Sequence, residues 1–443
     1  MEVRVSEFLS LKLEGHPIGA LAMIARDNPL LAATGHRICN DCSRACVFQQ
    51  QTPVDIPAAE SRVLEDVIGL PWGFEIYSLL TRWNPLNLRR PFPAPPSGAT
   101  ALVVGMGPAG FTLAHHLLNE GHAVVAVDGL KIEPLPVEAG LAGRQEPIRD
   151  IRACFEPLGA RIAGGFGGVA EYGITARWDK NLLTVIRLLL ERRSLFRLYG
   201  GVRFGGTFGF ERAWELGFDH VALAMGAGRP NLVDVPGALA PGVRMASDFL
   251  MALQLTGAAR ADSLANLQIR MPVVVIGGGL TAVDAATEAL AYYVAQVERF
   301  ADRHEAMRRS SGEDQARAPW SEVEAEQAGE FLMHAQAIRD ERAAASREAR
   351  PARLQALLDA WGGATIVYRR GLTESPAYRR NHEELQHALA EGVRFVDELA
   401  PVAVLADAKG QTRAVRFARR DDAERVELPA RTVLVAAGTH PNT

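Results

Sequence analysis

Residues 101–105 are a short apolar run that leads into Gly105-Met106-Gly107-Pro108-Ala109-Gly110, and a helical pattern follows as far as Gly121. A second apolar run, 123–127, ends at Asp128, 23 residues after Gly105. Strand, glycine turn, helix, strand and acid in that order describe the opening βαβ unit of a dinucleotide-binding domain, and nothing else in the chain narrows the fold so far. Gly105 makes the tight turn, Gly107 lets backbone approach a pyrophosphate, and Gly110 lets the helix pack close to the strand. Pro108 and Ala109 join them as candidate cofactor-binding residues. The helix amino terminus offers N–H groups and the positive end of its dipole to phosphates, and Asp128 can accept from ribose hydroxyls. This pattern replaces a membrane reading of the uncharged stretch 99–119, which has the length of a bilayer span.

The arrangement returns at 271–276, with Gly277-Gly278-Gly279-Leu280-Thr281-Ala282-Val283-Asp284 and then a helix. Gly277 and Gly279 take the first two roles and Ala282 the third; Leu280, Thr281 and Asp284 complete the candidate set. The next expected strand, 364–368, ends in Tyr368-Arg369-Arg370, where an NAD site would carry an acid. Two guanidinium forks at that place suit a ribose 2′-phosphate and favour NADPH. The intervening sequence is rich in Arg, Glu and Ala. Ser321-Glu322-Val323-Glu324 fits a capping box, and Leu354, Leu357, Leu358 and Trp361 make one apolar helix face. A helical insertion over about 293–362, possible as a two-helix hairpin with a solvated surface, is expected.

The 443 residues are 48% hydrophobic, ample for two or more packed domains. A formal net charge of −4 gives no general attraction to nucleic acid or anionic membrane, so neither is expected as a partner. The first residues, MEVRVSEFLSLKLEGH, have no uninterrupted apolar core of the signal-peptide kind, which makes a cytoplasmic location the expectation. Proline and small residues at 91–98 read as a linker after a first, mostly helical domain. Three of the four cysteines, Cys39, Cys42 and Cys46, lie within eight residues, a clustering that suggests metal in a reducing compartment. Cys154 reads as a small core residue.

Taken together, these motifs resemble the small (beta) subunit of NADPH-dependent glutamate synthase and its relatives. The resemblance extends to Ile366-Val367-Tyr368-Arg369-Arg370 with the downstream Glu374-Ser375-Pro376-Ala377, and to the closing Ala437-Gly438-Thr439-His440-Pro441-Asn442. Gly167-Gly168-Val169-Ala170-Glu171-Tyr172-Gly173-Ile174 and Thr34-Gly35-His36-Arg37-Ile38-Cys39, with Cys42, Cys46 and Pro53-Val54, are also similar to that family's segments. The resemblance implies an α/β protein with two Rossmann-like dinucleotide-binding domains on a glutathione-reductase-like plan, preceded by a small helical iron-sulfur-type domain. The implied domains are 1–92 (cysteine-containing), 98–250 (FAD), 251–430 (NADPH) and 431–443 (start of a return to the FAD domain). FAD would sit on the first fingerprint, with Gly168 and the 224–228 turn containing Gly226 beside it, and NADPH on the second. Hydride would pass from nicotinamide to flavin without a general acid, so no catalytic side chain is assigned. Electrons would then leave toward a larger electron-accepting subunit or domain, with Cys39, Cys42 and Cys46 as three ligands of one [4Fe-4S] cluster and Glu60 or His36 as the fourth.

Three departures from that family stand out: its first cysteine group is missing, the insertion after the NADPH helix is long, and the sequence stops at Thr443, before the segment that would cap the flavin pyrophosphate. A fragment of a longer protein is the expectation. Two other readings compete. A disulfide reductase would need a redox cysteine pair, yet no cysteine follows Cys154. A nucleotide-binding assembly subunit without turnover would use the insertion and the cysteine domain as docking surfaces.

Overall fold

The computed structural model of the chain describes residues 4–34, 42, 45–48, 51, 54–135, 146–157, 164–172, 179–419 and 425–441. They fall into two compact units, Met1–Gly228 with Pro441–Thr443, and Arg229–His440.

The first unit opens with helices Val5–Leu13, Pro17–Asp27, Leu31–Thr34, Ile56–Ile68 and Gly73–Arg82, so the expected helical character of the amino-terminal part holds among the described residues. Asp55 begins one of them by accepting from Ala58 N–H at 3.2 Å, with proline in the first turn. Its buried Val63, Leu64 and Val67 meet Phe74, Tyr77 and Leu80 of the next helix. Four parallel strands follow, β1 (Thr100–Val104), β2 (Ala123–Val127), β3 (Phe196–Tyr199) and β4 (His220–Leu223), in the order β3-β2-β1-β4. Side chains alternate between the faces of this sheet. Val103, Val124 and Ala126 pack in one core with residues of helices Pro108–Asn119 and Leu182–Glu191. Leu102, Val104 and Val127 meet Ala213 of helix Phe210–Glu215 on the other side.

The second unit contains β5 (Arg229–Pro230), β6 (Val243–Met245), β7 (Val273–Ile276), β8 (Ala364–Val367), β9 (Arg394–Val396), β10 (Leu399–Ala406), β11 (Thr412–Arg419), β12 (Arg425–Pro429), β13 (Thr432–Val435) and β14 (Thr439–His440). Its main sheet is parallel, in the order β6-β13-β7-β8-β9. Val273, Val275, Ile366 and Leu434 face helices Ala246–Leu255, Leu280–Ser311 and Pro376–Ala390. Val274, Ile276, Val367, Val433 and Val435 face Leu399, Val415 and Phe417 of the antiparallel meander β10-β11-β12. Both faces of the parallel sheet are therefore covered, which explains the near-continuous apolar runs of β7 and β13.

The division between units falls at 228, whereas the sequence reading put a domain boundary at 250. The reason is β6, a three-residue strand that pairs with β13 and so belongs to the second sheet. Pairing also keeps 432–435 in that sheet, where the sequence reading began a return segment at 431. The insertion is a helical hairpin: Leu280–Ser311 runs for 32 residues, and Glu322–Arg347 returns for 26 from a capping box made by Ser321 and Glu324. Phe331, Ala335 and Ile338 of the returning helix are buried, and Arg342 bridges to Glu298 at 3.0 Å. Leu354–Ala360 forms the short helix expected from its apolar face. Among the described residues, no helix is long and apolar enough to cross a membrane.

Candidate functional site

In the first unit, β1 delivers the chain to Gly105, whose N–H donates to Val127 O at 2.7 Å. Gly107 then occupies the N-cap of helix Pro108–Asn119, and no side chain caps that end. Pro108, at N1, has no N–H to satisfy, so the Ala109 and Gly110 N–H groups are the ones that open the helix's positive end. Gly110 lies against the turn so closely that a Cβ would stand 1.8 Å from Gly105 O, which no other residue tolerates. Asp128, at the end of β2, accepts from Met106 N–H at 2.8 Å and from Leu130 N–H at 2.9 Å. It thus holds the glycine loop to the strand while each carboxylate oxygen keeps further acceptor capacity. Gly167 N–H donates to Met106 O at 3.1 Å, and Gly168 lies backbone to backbone with Gly107. This set leaves a narrow, side-chain-free cradle of amides at a helix amino terminus, which fits the pyrophosphate of FAD. Gly226 is exposed beyond β4, with nothing within 4 Å of where a Cβ would be.

In the second unit a cleft of about 670 Å³ opens over Gly277, Gly278 and Gly279, between the carboxyl ends of β7, β8 and β13. Gly277 is held at φ +151°, and a Cβ there would fall 2.2 Å from Ala436 O, so the β7 turn and the chain beyond β13 approach only because that atom is missing. Gly279 is the N-cap of helix Leu280–Ser311, again without a side-chain cap. A second helix start meets the same loop: Ser375 caps helix Pro376–Ala390 through Tyr378 N–H, and Ala377 N–H donates to Gly278 O at 2.9 Å. The cleft wall carries two arginines, Arg369 and Arg380, and among the described residues no carboxylate lines it. Such a lining suits a ligand with several negative charges.

The sequence candidates divide on this geometry. Gly277, Gly279, Thr281 and Arg369 line the cleft. Ala282 is fully buried, as its helix-packing role requires, while Leu280 packs on the core and Asp284 is only 3% exposed, so these two shape the helix's inner side instead of the lining. Arg370 is exposed past β8 and is not among the lining residues; its carbonyl accepts from Glu398 N–H at 3.3 Å. Arg380 escaped the sequence reading. The signal for it was Ser375-Pro376, a helix start that returns the chain over the loop.

Cys39 and His36 lie outside the described residues, while Cys42 and Cys46 are half-buried. Glu60 is buried, and Asn28 Nδ2 donates to it at 3.2 Å. Burial pushes its carboxyl up to about 7. Among the described residues no three of His, Cys, Asp and Glu are grouped to hold a metal ion, so nothing in them supports the cluster expected from the sequence.

Two βαβ glycine loops, one in each unit, define a two-dinucleotide α/β oxidoreductase fold. The chain belongs to the pyridine nucleotide-disulphide oxidoreductase family, whose model matches residues 99–443 and whose members are expected to bind FAD and NAD(P)H. An uncharacterised protein of Rickettsia prowazekii (strain Madrid E) is 47% identical over 388 residues, covering 88% of this chain and 52% of that protein. The chain therefore spans about half the length of that curated relative. Among solved structures it is similar to Mycobacterium tuberculosis FprA in complex with NADPH, at 16% identity and a TM-score of 0.43 over 77% of this chain and 71% of that one. It is also similar to thioredoxin reductase of T. acidophilum, at 13% identity and a TM-score of 0.39 over 77% and 78%.

Proposed function

We propose that the chain takes hydride from NADPH onto FAD and passes the electrons to a larger electron-accepting subunit or domain, as in the glutamate synthase small-subunit resemblance. The observation that carries this reading is the second cleft, where a glycine loop, two helix starts, Arg369 and Arg380 converge and no carboxylate is among the described lining residues. NAD would be favoured by an acid at the end of β8. Arginine there favours the 2′-phosphate of NADPH, and Arg380 adds a second guanidinium from the facing helix. When bound, the two cofactors supply the hydride chemistry themselves. The protein's own residues bind and orient: Ala109 and Gly110 present N–H groups to a pyrophosphate, and Asp128 fixes the loop that carries them.

The test is anaerobic reduction of the FAD-loaded chain, followed by loss of flavin absorbance with NADPH and with NADH. Arg369→Ala and Arg380→Ala should each weaken NADPH by about 1.5–3 kcal/mol, or roughly 10- to 150-fold, and leave NADH nearly unchanged. Equal losses with both cofactors, or no bleaching by either, would refute the reading.

A further inference from the structure

We propose that a second cavity in the Arg229–His440 unit, lined by the two helices of the hairpin and by residues of the 265–268 segment, binds a small organic anion with a planar apolar body. The cavity has a volume of about 340 Å³, within the roughly 300–1,000 Å³ of small-molecule sites. It is about half the size of the glycine-loop cleft and shares no lining residue with it.

One wall is cationic. Arg299 and Arg303 lie four apart on helix Leu280–Ser311 and so share a face. Arg299 is 9% exposed and donates to the carbonyls of Ala258, Arg260 (2.9 Å) and Ala265 (3.1 Å). Arg303, at the exposed rim, donates to Ala261 O at 3.2 Å and Ser263 O at 2.6 Å. Neither has a carboxylate within 4.0 Å among the described residues. Elsewhere on the insertion, Arg309, Arg317, Arg339, Arg342 and Arg350 each have one. The acid that does line the cavity, Glu324, is turned to the Ser321 N–H and hydroxyl, both at 2.7 Å, in its capping box. A buried guanidinium offset only by neutral dipoles, three carbonyls and the Tyr292 hydroxyl at 3.4 Å, is an unusual arrangement, and an anion in the cavity completes it.

The other wall is aromatic. Phe300, Trp320 and Phe331 line it, with the Phe300 ring 6.2 Å from Trp320 and 5.7 Å from Phe331. Rings at that place fit an apolar plane. Nη1 and Nη2 of Arg299 already serve three carbonyls and the Tyr292 hydroxyl, and Nη2 of Arg303 serves two carbonyls, so a single carboxylate suits the remaining N–H groups better than a phosphate.

The test titrates the full 443-residue chain by calorimetry with phenylacetate and indole-3-acetate. Phenylacetamide, which keeps the ring without the charge, and orthophosphate, which keeps charge without the ring, are the comparisons. At least one of the two carboxylates should bind ten-fold or more tighter than both comparisons. Arg303→Ala should weaken it ten-fold or more, Arg303→Lys should restore most of the loss, and NADPH binding should stay unchanged in both variants, which also reports that they fold. Binding of neither carboxylate, equal binding of phenylacetamide, tighter binding of orthophosphate, or no effect of Arg303→Ala would overturn the proposal.

Discussion

Substituting the two inner glycines of the first loop should separate fold from cofactor. In Gly110→Ala the new Cβ would meet Gly105 O at 1.8 Å and Gly105 C at 2.8 Å, both backbone atoms. Ordinary contact needs separations near 3.4 Å or more, so helix Pro108–Asn119 must lift by more than an ångström from β1. That displacement strains the Met106 to Asp128 hydrogen bond and opens the core around Phe111 and Ala114. Overpacking of this kind costs about 1–3 kcal/mol, and a backbone–backbone clash belongs at the upper end. Gly107→Ala differs: its Cβ has nothing nearer than 3.8 Å, and its φ of −74° suits any residue. Its stability should stay within about 0.5 kcal/mol of wild type. The methyl group would stand at the uncapped helix start, however, and displacing one charge-assisted hydrogen bond to pyrophosphate should weaken FAD roughly 10- to 150-fold. Urea unfolding of the flavin-free chain, paired with FAD titration, reads both quantities. Equal unfolding midpoints for Gly110→Ala and wild type, or equal destabilisation by both substitutions, would refute the reasoning.

The buried Glu60 carboxyl, raised from 4.5 to about 7, makes the first unit's stability fall as pH rises from 4.5 to 7 and level off above. Glu60→Gln should remove that slope and gain up to roughly 3 kcal/mol at pH 8, with no gain at pH 4, as thermal unfolding across pH would show. Asp128→Asn exchanges one of two backbone acceptors for a donor, so unfolding should cost about 1–2 kcal/mol less, measurable in urea. Ser321→Ala breaks the hairpin's capping box and should cost about 1 kcal/mol in chemical denaturation, whereas Glu324→Gln, which can still accept, should cost less.

How much of this was legible depended on how locally each feature is encoded. β1, β2, β7 and β8 could be read because buried parallel strands are continuous apolar runs, and because glycine is required where backbones nearly touch at Gly105, Gly110 and Gly277. The hairpin could be read from Ser321 and Glu324, whose spacing makes a reciprocal cap. β6 left no such trace: Val243–Met245 is too short to show a period, and its membership of the second sheet comes from pairing with β13, far along the chain. Arg369 was found by its place after a strand, but Arg380 reaches the same cleft only through the path of helix Pro376–Ala390. Leu280 and Asp284 were grouped with the glycines by adjacency in sequence, and helical rotation turned them inward, whereas the buried Ala282 sits where its helix-packing role requires.

The position of β13 bears on how the second unit is made. Among the five strands of its parallel sheet β13 is synthesised last, yet it lies between β6 and β7 and is hydrogen-bonded to both. Until residue 435 has left the ribosome, β6 has no partner in the sheet and one edge of β7 stays open, with apolar side chains awaiting the missing strand. Such edges invite pairing with other chains, and the closing contact spans a long stretch of sequence, which slows it. The helical hairpin is complete in sequence by residue 347, long before β13, so it can form while the sheet beside it is still unfinished.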